Sequence, residues 1–189
     1  MYFLTSLRGM GVLLFTVFVV ALDQITKFLI KTRFYYGESI EIFGDFFRFT
    51  YIQNEGMAFG IRFGGRLFFT IFASLASVII LIYLYRMRNE RFFPRLSLAL
   101  ILGGAMGNLI DRFAYGAVID FIDVGFGNTR WPVFNIADSG VTIGMIILIF
   151  VVLFEKEKQE SKPASPFSPA QEPAPSDEND NWRDARRPR

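Results

Sequence analysis

Four long apolar runs dominate the chain, and most of its polar residues lie between them. The runs cover residues 9–30, 67–85, 96–113 and 136–154. Each approaches the ~20 residues that a helix needs to cross a hydrocarbon core about 30 Å thick. The first run has no small-residue cleavage site after its apolar part and is too long for a signal-peptide core, so it is a retained span. The pattern predicts an all-α integral membrane protein with four transmembrane helices.

The segment between the first two runs has a different pattern. Phe47, Phe49 and Tyr51 alternate with other residues, which predicts a strand, and residues 41–42 are placed to pair with it. The sequence Asn-Glu-Gly at 54–56 marks a turn. Residues 57–63 are short, apolar and tipped with charge, which predicts an interfacial segment that lies on the membrane and does not cross it.

The basic residues outside the apolar runs predict how the chain is oriented in the membrane. The loop at 86–95 has the densest basic charge, so the positive-inside rule places it in the cytoplasm, with both termini on the same side. Basic residues in the first outer loop oppose this orientation, although acidic residues accompany them.

Six of the eight prolines lie in residues 155–189, which are too polar to fold. We expect a membrane domain over 1–154 and a disordered cytoplasmic tail over 155–189.

The amino-acid composition excludes several kinds of catalytic and metal site. The chain is 52% hydrophobic, and its net charge of +2 without a basic aromatic patch gives no indication of nucleic-acid binding. It contains no Cys and no His. These absences exclude cysteine nucleophiles, Ser-His-Asp triads and most zinc and haem sites. Acid–base chemistry must therefore come from Asp, Glu, Lys or Tyr.

Candidate chemistry gathers in residues 103–144, which begin inside the third run and end inside the fourth. The candidate residues there are Asn108, Asp111, Arg112, Asp120, Asp123, Asn135 and Asp138. Ionisable groups at or near membrane depth cost roughly 2.5–3.5 kcal/mol each on insertion scales, so they are functional candidates. Asp120 and Asp138 lie near two loop-to-membrane junctions that can meet. We interpret them as a catalytic aspartate pair, although intramembrane carboxylates also build proton paths and ion sites.

The surroundings of the two carboxylates predict different protonation states. Asn135 and Asp138 have the spacing of a helix capping box, which is an alternative role for Asp138 and also favours its negative charge. In an extended segment, Asp120 and Asp123 point to opposite faces. Apolar neighbours of Asp120 raise a carboxyl pKa. One ionised and one protonated carboxyl group make the acid–base pair of an aspartic protease.

Helix spacing predicts further partners. Asn108 and Arg112 share one face and are placed either to orient substrate carbonyls or to hold Asp111 or Asp123. Glycine pairs four residues apart, at 103 and 107 and at 140 and 144, predict close packing of the third and fourth helices. That packing brings the level of Asn108 beside Asp138.

On the first helix, Asp23 and Lys27 lie four residues apart on one face. They form a local ion pair, with Lys27 snorkelling to the interface, or they help to shape the site.

Five segments resemble the signature blocks of bacterial lipoprotein signal peptidase (signal peptidase II), in the family's order, within residues 9–154. They are DQITK at 23–27, NEGMAF at 54–59, GGAMGNLIDR at 103–112, VIDF at 118–121 and FNIAD at 134–138. The resemblance implies a four-helix aspartic protease of the bacterial inner membrane. It also implies a small extracytoplasmic β-cradle and a short interfacial helix at 57–63. Such enzymes remove signal peptides from diacylglyceryl-modified prolipoproteins, cutting before the lipidated cysteine, and need no metal or cofactor.

The resemblance also implies roles for individual residues. It assigns catalysis to Asp120 and Asp138, near the outer face of the membrane. Asn54, Asn108, Arg112 and Asn135 would bind the substrate or a globomycin-type peptide inhibitor. We expect Asp23, Lys27, Asp111 and Asp123 to support the site. Met57 departs from the pattern, because the family commonly has a smaller residue there, and this would alter the rim of the pocket.

Two other functions compete with this interpretation. A small proton- or ion-coupled transporter would use Asp23, Lys27, Asp111 and Arg112, but its charges should spread through the membrane depth. A Ser-Lys protease would use Ser139 and Lys27. Ser139 follows Asp138 directly on the fourth helix, so the two side chains point apart.

Overall fold

A computed structural model describes residues 11–58, 61–62 and 65–160. The helices are α1 (Leu13–Arg33), α2 (Gly65–Arg86), α3 (Phe92–Ala114) and α4 (Ile136–Glu160). The strands are β1 (Ser39–Phe43), β2 (Phe47–Asn54), β3 (Met57–Ala58), β4 (Ile61–Arg62), β5 (Val118–Phe126) and β6 (Thr129–Arg130). Each helix is long and apolar enough to cross a membrane, which confirms the four predicted spans.

The boundaries differ from the predicted ones for local reasons. Helix α3 begins at Phe92, ahead of the apolar run, because Pro94 lies in its first turn, where proline is tolerated. Helix α4 continues past Phe154 to Glu160, through charged residues that favour helix as well as solvent. The predicted tail therefore begins as helix over 155–160. The prediction of disorder for 161–189 falls outside the described residues.

Helix α3 lies at the centre of the bundle and contacts the other three helices. Its glycines permit this position. A Cβ atom added at Gly104 would overlap the carbonyl oxygen of Ala137 on α4, and one at Gly103 would lie 2.9 Å from the Cβ of Val19 on α1. On α4, a Cβ at Gly144 would lie 2.7 Å from the carbonyl oxygen of Ser97. Backbones in lipid can approach this closely only where side chains are small.

The outer surfaces of the helices are apolar. Of the residues of α2, only Ser77 and Leu84 are buried within the protein. On α1, Leu14, Phe18 and Phe28 are largely exposed. These side chains would be unfavourable in water but suit contact with lipid hydrocarbon.

A four-stranded antiparallel sheet in the order β1-β2-β5-β6 lies at the end of the bundle where α1 and α3 finish and α4 begins. This sheet confirms the predicted strand at 47–51 and its pairing with residues 41–42, since Glu41 lies opposite Arg48. Ile52 lies opposite Asp120 across β2 and β5. A core that includes Tyr51, Ile119 and Phe121 packs beneath the sheet. The position of β5 directly after α3 brings Asp120 over the bundle.

The interfacial helix expected over 57–63 is wrong for the described residues of that segment. Met57–Ala58 and Ile61–Arg62 pair as two short antiparallel strands. Gly56, with φ of +114°, turns the chain sharply just before them. A segment of seven residues also gains little from helix propagation, because nucleation is costly.

Candidate active site

Two carboxylates meet where the sheet covers the bundle. Asp120 lies in β5 and is 2% exposed, whereas Asp138 lies in the first turn of α4 and is half-buried. Amide N–H groups donate to all four of their oxygens. Asn135 donates to Asp120 Oδ1 (2.6 Å) and Asn54 to Asp120 Oδ2 (3.2 Å). Asn108 donates to Asp138 Oδ1 (2.8 Å), and the backbone N–H of Asn135 donates to Asp138 Oδ2 (3.2 Å).

Asn135 joins the two carboxylates and is itself fully buried. Its side-chain oxygen accepts from the backbone N–H of Asp138 at 2.9 Å, while the Asp138 carboxylate accepts from its backbone N–H. This reciprocal pair is the predicted capping box. The side-chain amide of Asn135 simultaneously reaches Asp120. The capping role is therefore compatible with a place in the carboxylate pair, because the cap holds Asp138 beside Asp120.

The two carboxylates differ electrostatically. Burial, and secondly the negative charge of Asp138, raise the pKa of Asp120 from 3.8 to about 7, although donors from Asn54 and Asn135 act in the opposite direction. Asp138 is half-buried at a helix N-terminus, where the partial positive charge of the backbone favours an anion. Asp120 therefore keeps its proton to a higher pH than an ordinary carboxyl group does.

Beneath the pair lies a buried ionic cluster. Lys27 Nζ is 2.8 Å from both Asp23 Oδ2 and Asp111 Oδ2, and all three side chains are at most 1% exposed. Lys27 also donates to Asn108 Oδ1 at 3.0 Å. A buried charge cluster of this kind is a poor source of net stability. Lys27 does not snorkel, and its ion pair extends to a second helix.

The cluster also holds the backbone next to each member of the pair. Asp23 Oδ1 accepts from the N–H of Ala137 (2.9 Å), the residue before Asp138. Asp111 Oδ2 accepts from the N–H of Ile119 (3.0 Å), the residue before Asp120. Three helices and β5 are thus joined by hydrogen bonds at one level.

The sequence interpretation did not single out Gln24 as a contributor to this cluster. Its amide donates to Asp23 Oδ2 (3.1 Å), Asp111 Oδ1 (3.0 Å) and the carbonyl oxygen of Gly107 (3.2 Å). Its place between Asp23 and Lys27 in the DQITK segment is the only signal in the sequence, because its other two partners, Asp111 and Gly107, lie on α3.

Arg112 and Asp123 are placed differently from the rest. Arg112 donates to the carbonyl oxygen of Asn108 (3.4 Å), and its guanidinium carbon lies 5.9 Å from the ring centroid of Phe69. Among the described residues, no carboxylate lies within ion-pair distance of Arg112, so it holds neither Asp111 nor Asp123. Asp123 instead accepts from Thr50 Oγ1 (2.8 Å) and Arg130 Nε (2.6 Å) within the sheet.

Asp123 belongs to an ionic network that fastens the sheet. Asp45 joins the network through Arg48 and Arg130 and accepts from the backbone N–H of Gly127. That N–H is the main cause of the lowered pKa of Asp45. The sequence pattern missed Asp45 and Arg130, since only the fold brings them to Asp123.

The competing interpretations find little support in this arrangement. Ser139 Oγ donates to the carbonyl oxygen of Asn135 (3.0 Å), while Lys27 is held by two carboxylates, so the two do not form a Ser-Lys pair. The candidate charges lie together at one level near the sheet instead of along a path. Across the described residues 11–58, 61–62 and 65–160, no group of three or more acidic side chains is arranged to hold a metal ion.

Comparison with known proteins gives one consistent result. Residues 15–154 match a family model described as signal peptidase (SPase) II. A lipoprotein signal peptidase of Syntrophus aciditrophicus is 44% identical over 148 residues, which cover 76% of this chain and 91% of the relative. One of Moorella thermoacetica is 42% identical, covering 82% of this chain and 100% of the relative. A bacterial membrane enzyme structure solved by the in meso method is 35% identical with a TM-score of 0.70, covering 82% of this chain and 93% of that one.

Proposed function

From the premise that the chain belongs to the signal peptidase II family, we propose that it removes signal peptides from lipoprotein precursors with Asp120 and Asp138 as its catalytic pair. The family membership, the four spans and the sheet account for the peptidase activity and the multi-pass membrane setting. The aspartic mechanism depends on one observation, the two carboxylates that Asn135 bridges.

The surroundings of the two carboxyl groups assign the two roles. Asp138 is half-buried at the start of α4, so we assign it as the general base that takes a proton from water as the water oxygen attacks the scissile carbonyl carbon. Asp120 holds a proton near pH 7 and donates it to the leaving nitrogen as the C–N bond breaks. The products are the carboxylate of the signal peptide and a free amine on the mature lipoprotein, without a covalent enzyme intermediate.

Two residues at the rim bind the substrate in this proposal. Asn54 contacts Asp120 and is half-buried, and Arg112 carries a guanidinium with no carboxylate partner among the described residues. Both are suited to donate hydrogen bonds to peptide carbonyls of an extended substrate. A cyclic peptide inhibitor of the globomycin type would compete for the same donors. Asn108 and Asn135 contact the pair from below, so they hold the carboxylates more than they meet the substrate.

The membrane presents the substrate to this site. We place the protein in the bacterial inner membrane, with the sheet and the pair at the outer face. The basic loop at 86–95 lies at the opposite end of the bundle, on the cytoplasmic side. The lipid-modified cysteine would then rest at the outer leaflet with its acyl chains among membrane lipids, and cleavage before it would occur at the level of Asp120.

A gel-shift assay of a diacylglyceryl-modified prolipoprotein tests the proposal. Asp120→Asn and Asp138→Asn should each abolish cleavage in correctly inserted protein, because an amide keeps the shape of the side chain but cannot exchange the proton. The double variant should be no worse than either single variant, as expected for residues that act as one unit. Asp45→Asn, in the sheet, is the matched control and should retain turnover.

Turnover by either single variant would overturn the assignment of the pair. The same assay with a strong chelator tests the metal-free mechanism. Activity should survive, and its restoration by an added divalent metal would contradict the proposal. Failure to cleave any lipidated precursor, with efficient proton or ion uptake into proteoliposomes, would instead support the transporter.

A further inference from the structure

We propose that Lys27 is a positioning residue for the cleavage reaction, because it fixes which end of the Asn108 amide faces Asp138. This inference rests on the proposed function, since it takes Asp138 to be the base. Lys27 is 1% exposed and lies beneath the pair, so it acts through Asn108 and not on the substrate.

The direction of the hydrogen bonds carries the argument. A lysine ammonium has three donors and no acceptor. Lys27 Nζ has three acceptors at 3.0 Å or less, which are Asp23 Oδ2, Asp111 Oδ2 and Asn108 Oδ1. All three donors are therefore used, and the atom of Asn108 that faces the ammonium must be its oxygen.

The fixed orientation of the Asn108 amide determines which of its atoms faces Asp138. With its oxygen turned to Lys27, the Asn108 side chain must present its N–H group to Asp138 Oδ1, at 2.8 Å. The amide of Asn135 is fixed in the same way, because its oxygen accepts from the backbone N–H of Asp138 and its N–H group therefore faces Asp120. Asn135 also donates to Asn108 Oδ1 at 3.1 Å, so the two amides agree in direction. Lys27 thus sets the direction of the hydrogen bond at Asp138, and the backbone N–H of Asp138 sets the direction at Asp120.

Removal of the Lys27 ammonium should change the orientation of the Asn108 amide. Asp23 and Asp111 would each keep other donors but would lose their strongest one, and buried carboxylates seek replacements because unpaired charge is costly there. The Asn108 amide is adjacent to both, since all three side chains contact the same Nζ atom. Its N–H group would be drawn toward these carboxylates and away from Asp138.

The test is a mutant cycle with kcat and KM measured separately on the lipidated precursor. Lys27→Met keeps the aliphatic stem and removes the ammonium, and Asn108→Leu removes the amide that we infer to transmit its effect. We expect each single variant to lose roughly 10- to 100-fold in kcat, as for one charge-assisted hydrogen bond, with little change in KM. The combined variant should lose no more than Asn108→Leu alone, because both changes remove the same hydrogen bond.

Lys31→Met is the matched control. Lys31 lies one turn further along α1, is exposed and contacts the ring of Tyr115, so its loss should leave kcat unchanged. Losses that multiply in the combined variant would overturn the proposal, since they would mean that Lys27 acts independently of Asn108. An effect of Lys27→Met on KM alone, or wild-type kcat in that variant, would also overturn it.

A charge-balanced variant keeps the test decisive if Lys27→Met does not insert as folded protein. Lys27→Met with Asp23→Asn removes one charge of each sign and leaves an oxygen at residue 23 to accept from the N–H of Ala137. Its kcat should be lower than that of Asp23→Asn alone, and equal values would refute the role of Lys27. Failure of the proposed function would appear elsewhere, as turnover by Asp120→Asn or Asp138→Asn, so the two results are separable.

Discussion

Asp120 should make both stability and activity depend on pH across the neutral range. Its pKa is raised from 3.8 to about 7, first by burial and then by the charge of Asp138. The folded protein therefore binds this proton more tightly than the unfolded chain. Between those two values the native state carries more protons than the unfolded state, so the free energy of unfolding must fall as the pH rises.

The size of the effect follows from the two pKa values. At about 1.4 kcal/mol per pH unit, moving the pKa from 3.8 to about 7 corresponds to a loss of about 4 kcal/mol of stability once Asp120 is fully ionised. The loss should begin near pH 4 and be complete just above pH 7. Because Asp120 is the proposed acid, kcat/KM should decline over the upper part of the same range.

The assay compares thermal unfolding of wild type and Asp120→Asn in detergent from pH 4 to 8. Asparagine cannot ionise, so the variant should gain stability relative to wild type as the pH rises. Asp45→Asn provides a control of opposite sign. The lowered pKa of Asp45 stabilises the wild type above about pH 4, and this advantage disappears at lower pH. Parallel pH profiles for wild type and Asp120→Asn would refute the raised pKa and, with it, the assignment of the proton to Asp120.

Four further outcomes are expected. Asn54→Ala should raise KM more than it lowers kcat in the cleavage assay, and a pure loss of kcat would place Asn54 in the chemical step. Asp123→Asn should lower the melting temperature by a few degrees but leave most of the activity, because it contacts Thr50 and Arg130 in the sheet. Gly107→Ala should reduce folded yield, since the new Cβ would lie 2.6 Å from Asp23 Oδ2. Truncation after Glu160 should leave specific activity intact, and its loss would show that the tail contributes to the site.

Periodicity and length predicted the helices well, because twenty consecutive apolar residues have few other stable arrangements. The same reasoning failed at residues 57–63. A short apolar segment is too short for its periodicity to distinguish a helix from a pair of strands. The turn at Gly56 leads into the strand pair. The extent of α3 was also missed at its start, since Phe92 to Arg95 carry charge and a proline that obscure the apolar pattern.

The members of the site were easier to predict than their arrangement. Spacing within one helix identified the pair Asp23 and Lys27, as well as the cap formed by Asn135 and Asp138. Among contacts between elements, the glycine pairs predicted that Asn108 lies beside Asp138, but nothing predicted the ion pairs of Lys27 with Asp111 and of Asp123 with Arg130. These contacts depend on which helix faces meet. The glycines allow close packing, but the sequence does not show which residues of the neighbouring helix each glycine contacts.

The contacts around Asp120 and Asp138 give the buried cluster of Lys27, Asp23 and Asp111 a structural role. Asp120 and Asp138 arrive on different elements, β5 and α4, and like charges at short range would push these elements apart. Asp111 and Asp23 hold the backbone beside each of them, and Lys27 joins those two carboxylates. Burial is the main cause of the raised pKa of Asp120 and the charge of Asp138 is the second, and the ionic cluster one layer below holds the two elements together against that repulsion. Because the positive charge of Lys27 acts to lower the pKa of Asp120, its removal should move the pH dependence of Asp120 further from that of an ordinary carboxyl group.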